Sequence, residues 1–409
     1  MIPSDKRSSI SDFGAVGDGK TINTAAIQKC IDALAQNSGG TVVVPEGTFL
    51  SGAIFLKPGV NLHVAKSGVL KGSENTGDYP TMNTRIEGHF EPWLPALVNA
   101  DGVDHLHIGG EGTLDGSGQV FYDAFYAARD VNRNVTNLAT PRPRLMFISN
   151  SRDVQVSGLK FLNSGFWNLH LYRCQNVLVD GLNIEAPERS PSTDGIDVDS
   201  CQQVTIQNCM IANNDDCIAL KGSKGPLAMD DKDSPPVEHI RVVGCTFLRG
   251  QSFVTCGSEA TIVRDVTIEN CKAGPDASKA MLVLRLKLRT DTPQLYEDFH
   301  IRDLQLQGSG TILTMAPWAQ FFDLKGHPQP CRTVRNITIS IITGAFGSLA
   351  NISPNRGDIV ENVTLENINV NLQSARPMIV NGVTNLTVKN VRINGKDYNG
   401  PVTESSSRL

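Results

Sequence analysis

The sequence predicts an all-β chain wound into a single-stranded parallel β-helix, with a helix capping its N-terminal end. A short phrase recurs along it: a turn residue, a short alternating strand, a Gly or Asn, then another short strand. It reads Arg152-Asp-Val-Gln-Val-Ser-Gly-Leu-Lys-Phe161, then Gln202-Gln-Val-Thr-Ile-Gln-Asn-Cys-Met-Ile211, and later Glu361-Asn-Val-Thr-Leu-Glu-Asn-Ile-Asn-Val370. Copies begin roughly 23 to 38 residues apart, a period that marks stacked repeats. The 37 glycines and 6% aromatic content favour many short strands over long helices. The irregular period and the missing Leu-x-x-Leu-x-Leu phrase argue against a leucine-rich horseshoe, and the missing Trp-Asp signature against a propeller.

The elements follow in order. Residues 21–36 carry the one helix expected, with Ile27, Ile31 and Leu34 at helical spacing and Asn37-Ser-Gly-Gly40 as its stop. An uncapped stack would expose apolar side chains and open strand edges, so this helix is expected to close one end. Because solenoids grow by adding coils, the 409 residues are read as one domain, 1–409. Residues 8–50 form its cap and first coil, and 396–409 a C-terminal tail. Two insertions interrupt the phrase, 115–144 with Phe121, Tyr122, Phe125 and Tyr126, and 223–237. Both are expected to wall a cleft.

Composition excludes some functions. The net charge is −5 and no basic run occurs, which argues against nucleic acid as a partner. No segment is apolar and long enough for a membrane span, and the opening residues lack the apolar core of a signal peptide. Nine cysteines cannot all pair; Cys209, Cys245 and Cys271 occupy matching places in three repeats and read as inward core residues, with a disulfide framework as the alternative. Five Asn-x-Ser/Thr sites, Asn336, Asn362 and Asn385 among them, fall at repeat boundaries where Asn suits the turn.

The chemistry centres on Pro191-Ser-Thr-Asp-Gly-Ile-Asp-Val-Asp199 and Asn213-Asn-Asp-Asp-Cys-Ile-Ala-Leu-Lys221. Stacking brings residues one repeat apart side by side, so Asp194, Asp215 and Asp216 should crowd onto one face. Carboxylates so placed repel, and one can be driven to keep its proton near neutral pH, as acid-catalysed glycosidic cleavage requires. In Met281-Leu-Val-Leu-Arg-Leu-Lys-Leu-Arg289 a strand would point Arg285, Lys287 and Arg289 to one side and Leu284, Leu286 and Leu288 to the core. Such cations suit a sugar carboxylate.

These motifs resemble those of glycoside hydrolase family 28, the polygalacturonase family, and the likeness runs nearly the whole chain from Ser11-Asp-Phe-Gly-Ala-Val-Gly-Asp-Gly-Lys20 onward. Ser192-Thr-Asp194, Asp215-Asp216 and Arg285-Leu-Lys287 match the family's Asn-Thr-Asp, Asp-Asp and Arg-Ile-Lys. The resemblance implies a right-handed, pectin-lyase-like β-helix and an inverting hydrolase of α-galacturonosyl linkages that needs no cofactor or metal. Asp215 would be the acid, Asp194 and Asp216 the bases, with Arg285 and Lys287 binding substrate. For inversion, acid and base should lie about 6.5 to 9.5 Å apart.

One motif departs. Aligning Gly257-Ser-Glu259 puts Gln251, or Ser252 with a one-residue shift, where the family has the His of Gly-His-Gly. Gln can hydrogen-bond but cannot titrate, so a mixed galacturonate and rhamnose backbone stands beside polygalacturonate as substrate. His170, near Trp167, is read as a cleft residue, with a buried ladder histidine as the alternative. Trp318 is read as stacking on a sugar or packing. Met229-Asp-Asp-Lys-Asp233 lacks the pattern of a Ca²⁺ loop and reads as a solvated turn. The expected partner is an acidic plant cell-wall polysaccharide met by a secreted or periplasmic monomer, although the sequence does not itself separate these compartments from the cytoplasm. Rival readings are a Ca²⁺-dependent pectate lyase and a non-catalytic polysaccharide-binding β-helix.

Overall fold

The computed structural model describes residues 6–274, 281–320 and 322–401. The expected tail therefore lies partly outside the described residues, from position 402 on. The chain coils into two long parallel sheets, one of 22 strands and one of 11, in which each coil pairs with the next. The expected parallel β-helix is observed.

Alternation within each phrase explains the stack. Every second residue of a strand points inward and lands on its counterpart one coil later. One such column runs Val42, Leu62, Ile108, Val156, Val179, Ile206, Val242, Ile268, Ile301, Ile339 and Leu365 through successive registers. All eleven are buried. Cys209, Cys245 and Cys271 are buried too, and the cysteines are unpaired thiols.

The recurrent turn residue has its own cause. Asn336, Asn362 and Asn385 adopt φ of 59°, 57° and 60°, a left-handed conformation that Asn tolerates better than most residues. Their amides stack, with Asn362 Nδ2 donating to Asn336 Oδ1 at 3.0 Å and Asn385 Nδ2 to Asn362 Oδ1 at 3.1 Å. The turn reading of these sites holds.

Helix α1, Thr24–Gln36, buries Ile27, Cys30, Ile31 and Leu34 at the N-terminal end. Asn23 stands just before it but does not cap it; its side chain ties the Val16, Thr21 and Leu50 backbones together. The sequence reading missed a second helix. Within the first insertion α2, Gln119–Val131, buries Phe121, Tyr122 and Phe125, and Tyr122 donates to the Ser164 carbonyl at 2.6 Å. Also unforeseen is an antiparallel hairpin, Met82–Ile86 with His89–Trp93, standing off the coils. No helix among the described residues is long and apolar enough to cross a membrane.

Ile268→Ala should cost about 2–5 kcal/mol and Ile268→Val about 0.5–1.5 kcal/mol, because the neighbouring rungs cannot close the gap. Denaturant titration of the two variants measures both costs.

Candidate active site

The site is built on turns that feed the 11-stranded sheet. The turn carrying Asp194 leads into the strand Ile196–Asp199, that carrying Asp215 and Asp216 into Ile218–Lys221, and that carrying Gln251 into Ser252–Cys256. Backbone bonds lock these turns on one another. Gly195 N donates to Asp216 O at 3.0 Å, and Gln251 N to Asp215 O at 2.8 Å. Asn213 Nδ2 donates to Thr193 O at 3.0 Å and Asp216 O at 2.9 Å, while Asn168 Nδ2 donates to Asp194 O at 3.0 Å. Turn stacking thus brings the three expected carboxylates together, with one oxygen of each within 4.8 Å of the others.

This is a compact cluster: one oxygen of each carboxylate approaches the others more closely than the group-to-group separation of about 6.5 to 9.5 Å usual for an inverting pair. Consecutive turns of a β-helix are spaced by a strand separation of about 4.8 Å, which leaves no room for more unless the side chains diverge.

The three groups differ electrostatically. For Asp216, burial alone would raise the pKa, but the charges of Lys287 and Arg285 bring it down to about 2. Its Oδ2 accepts from Lys287 Nζ at 2.8 Å, and its Oδ1 from Ser252 Oγ at 2.8 Å and Thr255 Oγ1 at 2.7 Å. For Asp194, burial pushes the carboxyl up, and the Asp216 charge adds to this while Lys221 opposes it. Lys221 Nζ sits 3.4 Å from both Asp194 and the buried Asp197. Asp215 touches no cation at ion-pair distance among the described residues. Burial, then the charges of Asp194 and Asp216, drive its pKa up to about 8.

The predicted cations line the outward face of strand Leu282–Arg289, while Leu284, Leu286 and Leu288 are buried. Lys287 is engaged by Asp216. Arg285 Nη1 donates to Gln251 Oε1 at 3.0 Å, and Arg289 binds both oxygens of Asp291. Trp318 lies beneath both cations of the motif, with Arg285 at 5.1 Å and Lys287 at 4.8 Å from its ring centre. Of the two alignments for the missing His, Gln251 lines the pocket, and Ser252 is a buried partner of Asp216.

The pocket holds about 250 Å³. Both insertions wall it as expected, through Arg129 and Asn137 from the first and Lys224 from the second. Glu87, Trp167, Glu259 and Gln320 complete it. A second recess of about 460 Å³, lined by Asn213, Asn214, Arg249, Leu282 and Arg285, shares Gln251 with it.

His170 does not line the cleft. It is fully buried, 2.7 Å from Arg144 Nη1 and 3.5 Å from Asp199, under an edge-on Trp167 ring. Burial holds its pKa down at about 3, so it is neutral. Its side chain does point out of the coil, but Arg144, Phe147 and Trp167 roof that face. The ladder alternative is the correct one.

Sequence reasoning missed Glu87, Lys221 and Lys224. Lys221 had a signal, since it shares the outward phase of its strand with Ala219, one turn after the acidic pair. Glu87 and Lys224 had none, because they reach the pocket from a hairpin tip and an insertion.

Two buried carboxylates held by lysines and a half-buried third beside them, set along a parallel β-helix, suit general acid–base chemistry at a glycosidic bond. The chain belongs to glycosyl hydrolases family 28, whose family model matches residues 35–392. It is similar to a probable polygalacturonase of Vitis vinifera, 33% identical over 222 residues, which is 52% of this chain and 44% of that protein. An exopolygalacturonase of Zea mays is 27% identical over 359 residues, 82% of this chain and 76% of that protein. The chain thus spans less than half of the first relative. Among solved structures, an exopolygalacturonase from Thermotoga maritima shares the fold with TM-score 0.80 at 23% identity, over 97% of this chain and 94% of that one.

Replacing Lys287 by Met leaves the buried Asp216 with only the longer ion pair to Arg285 at 3.8 Å and its hydroxyl donors, so stability at pH 7 should fall, by less than the ~3–5 kcal/mol of a fully unpaired buried charge. The depressed pKa of Asp216 stabilises the fold above the ordinary carboxylate range, and that contribution is lost as pH falls from about 4 towards 2. Unfolding free energies measured across this range should show that acid step in the wild type and a smaller one in Lys287→Met.

Proposed function

We propose that the chain hydrolyses α-galacturonosyl linkages of a pectic polysaccharide from a chain end, with inversion and without a metal. The division of the three carboxylates carries this reading: one is driven to keep its proton, and the other two are tied to lysines. Asp215 donates its proton to the glycosidic oxygen as the bond to the anomeric carbon breaks. A water held by Asp194 and Asp216 attacks that carbon from the opposite face, and its proton passes to Asp194. Asp216, with its low pKa, is the weaker base and orients the water.

Inversion is favoured because Lys221 and Lys287 restrain the two candidate nucleophiles. Proton NMR of the first product formed decides it. A β-anomer from the α-linked chain supports the proposal, and an α-anomer would assign the compact spacing to a covalent intermediate.

Action from a chain end is favoured by the wall of Glu87, Asn137 and Lys224 around a pocket of about 250 Å³. Asn137 Nδ2 donates to Glu87 Oε1 at 3.2 Å, tying the hairpin tip to the first insertion. The rest of the polymer would leave past Gln251 and Arg285 into the larger recess. Gln251 in place of a His keeps a rhamnogalacturonan backbone as the second reading. Mass spectrometry of products from both polymers separates the two, and monomer release from the start marks exo action. A plant wall polymer as substrate would put the enzyme outside the cytoplasm.

Asp215→Asn should abolish turnover; a variant turning over at wild-type rate would sink the acid assignment. The raised pKa makes native Asp215 bind its proton more tightly than the unfolded chain does, so stability falls as pH climbs from about 4 to about 8. The variant should therefore melt higher than the wild type at pH 7, by a margin that shrinks towards pH 4. In the wild type kcat/KM should decline as pH rises through about 8, where the acid loses its proton.

A further inference from the structure

Most cations at the walled end of the pocket are already held by carboxylates. Lys287 is bound by Asp216 at 2.8 Å, Lys221 lies between Asp194 and Asp197, and Arg289 is paired with Asp291. Lys224 differs. Its ammonium stands 3.8 Å from Glu87 and 3.9 Å from Glu259, outside hydrogen-bond distance of either, and no hydrogen bond to it is formed among the described residues. Its side chain is only 17% exposed and lines the pocket. An ammonium with three donors, mostly shielded from water and in only long ion pairs, can still donate hydrogen bonds to an incoming anion.

The surrounding chain is built to hold it there. Glu87 and Gly88 form the two-residue tip of the hairpin, with φ of 42° and 81°. A two-residue tip with both φ positive favours Asn or Gly, so Glu at this place is strained. A Cβ at Gly88 would come within 3.0 Å of Glu259 Cβ and of the Gly222 carbonyl, so Gly lets the tip press onto the coil that bears Lys221 and Lys224. Burial and the charge of Glu259 raise the pKa of Glu87. The two carboxylates lie at long ion-pair distance from Lys224, which leaves its hydrogen-bond donors open to a further acceptor.

We propose that Lys224, set between Glu87 and Glu259 at the walled end of the pocket, binds the carboxylate of the chain-terminal uronate and so selects an acidic over a neutral end sugar. This rests on the reading of the chain as a pectic hydrolase and adds which group recognises the terminal unit. Arg285, beside the larger recess, is left to the sugar on the leaving side.

The probes are D-galacturonate and D-galactose, titrated by calorimetry into wild type, Lys224→Met and Glu87→Gln, together with trigalacturonate turnover. Wild type should bind galacturonate about tenfold or more tighter than galactose, the value of one charged hydrogen bond. Lys224→Met should erase that preference and raise KM for trigalacturonate about tenfold with much less change in kcat. Glu87→Gln, which keeps a neutral side chain beside Lys224, should retain the preference, and thermal melts check that each variant folds. A wild type that cleaves trigalacturonate while Lys224→Met still prefers galacturonate overturns the assignment alone. A wild type that releases no uronate from any pectic oligomer overturns the parent reading and this one together.

Discussion

Everything in the site depends on one constraint, the backbone register that stacks the turn of Asp194 on that of Asp215 and Asp216. Gly195 N to Asp216 O, Gln251 N to Asp215 O and the two bridging Asn side chains fix it. Turns so held cannot spread their side chains, so three carboxylates share a space that would repel them in water. The cost is met by cations in the outward phase of the two strands flanking Ser252–Cys256. Lys287 and Arg285 compensate Asp216, and Lys221 is shared by Asp194 and Asp197. Asp215 is left without a cation at ion-pair distance among the described residues, and that arrangement raises its pKa with no special group needed.

The same logic explains the buried charges under the cleft. Arg85 Nε bonds Asp199 at 3.0 Å, and Arg144 bonds His170, Thr84 and the Arg85 carbonyl, all out of water. Burial lowers the pKa of Arg144 to about 9, so it is still cationic at neutral pH. Buried ion pairs contribute little net stability because desolvation consumes most of the gain. What this network supplies is placement: Arg85 and Thr84 belong to the hairpin, Asp199 and His170 to the coils. The pairs pin the hairpin at one height above the sheet and so deliver Glu87 to the pocket wall.

The fold was legible because strand alternation and stacking are local rules repeated many times. The column from Val156 to Leu365 can be written down from the phrases alone. The acidic trio was legible for a related reason: it sits at one phase of two successive copies. Residues outside the repeat were not. Glu87 depends on a tight turn whose sequence, Glu-Gly, is no common hairpin signal, and Lys224 on the path of an insertion. Helix α2 escaped notice because Phe121, Tyr122 and Phe125 cover barely more than one turn, too short a run for periodicity to speak. His170 was misjudged on the opposite ground. It was placed in the cleft by its nearness to Trp167, but nearness says nothing about what lies on top, and Arg144 comes from a different coil.

The exchange of Gln for the family's His has a physical sense once Arg285 is in view. Gln251 Oε1 accepts a hydrogen bond from the guanidinium at 3.0 Å, and the Trp318 ring supports its other side. A histidine there could accept from Arg285 only while neutral, and protonation would set two cations against each other. The amide cannot titrate, so it holds Arg285 in one place at every pH where the carboxylates work. Under the proposed mechanism proton transfer would rest with the carboxylates, and the cation beside the larger recess would stay fixed as they change charge.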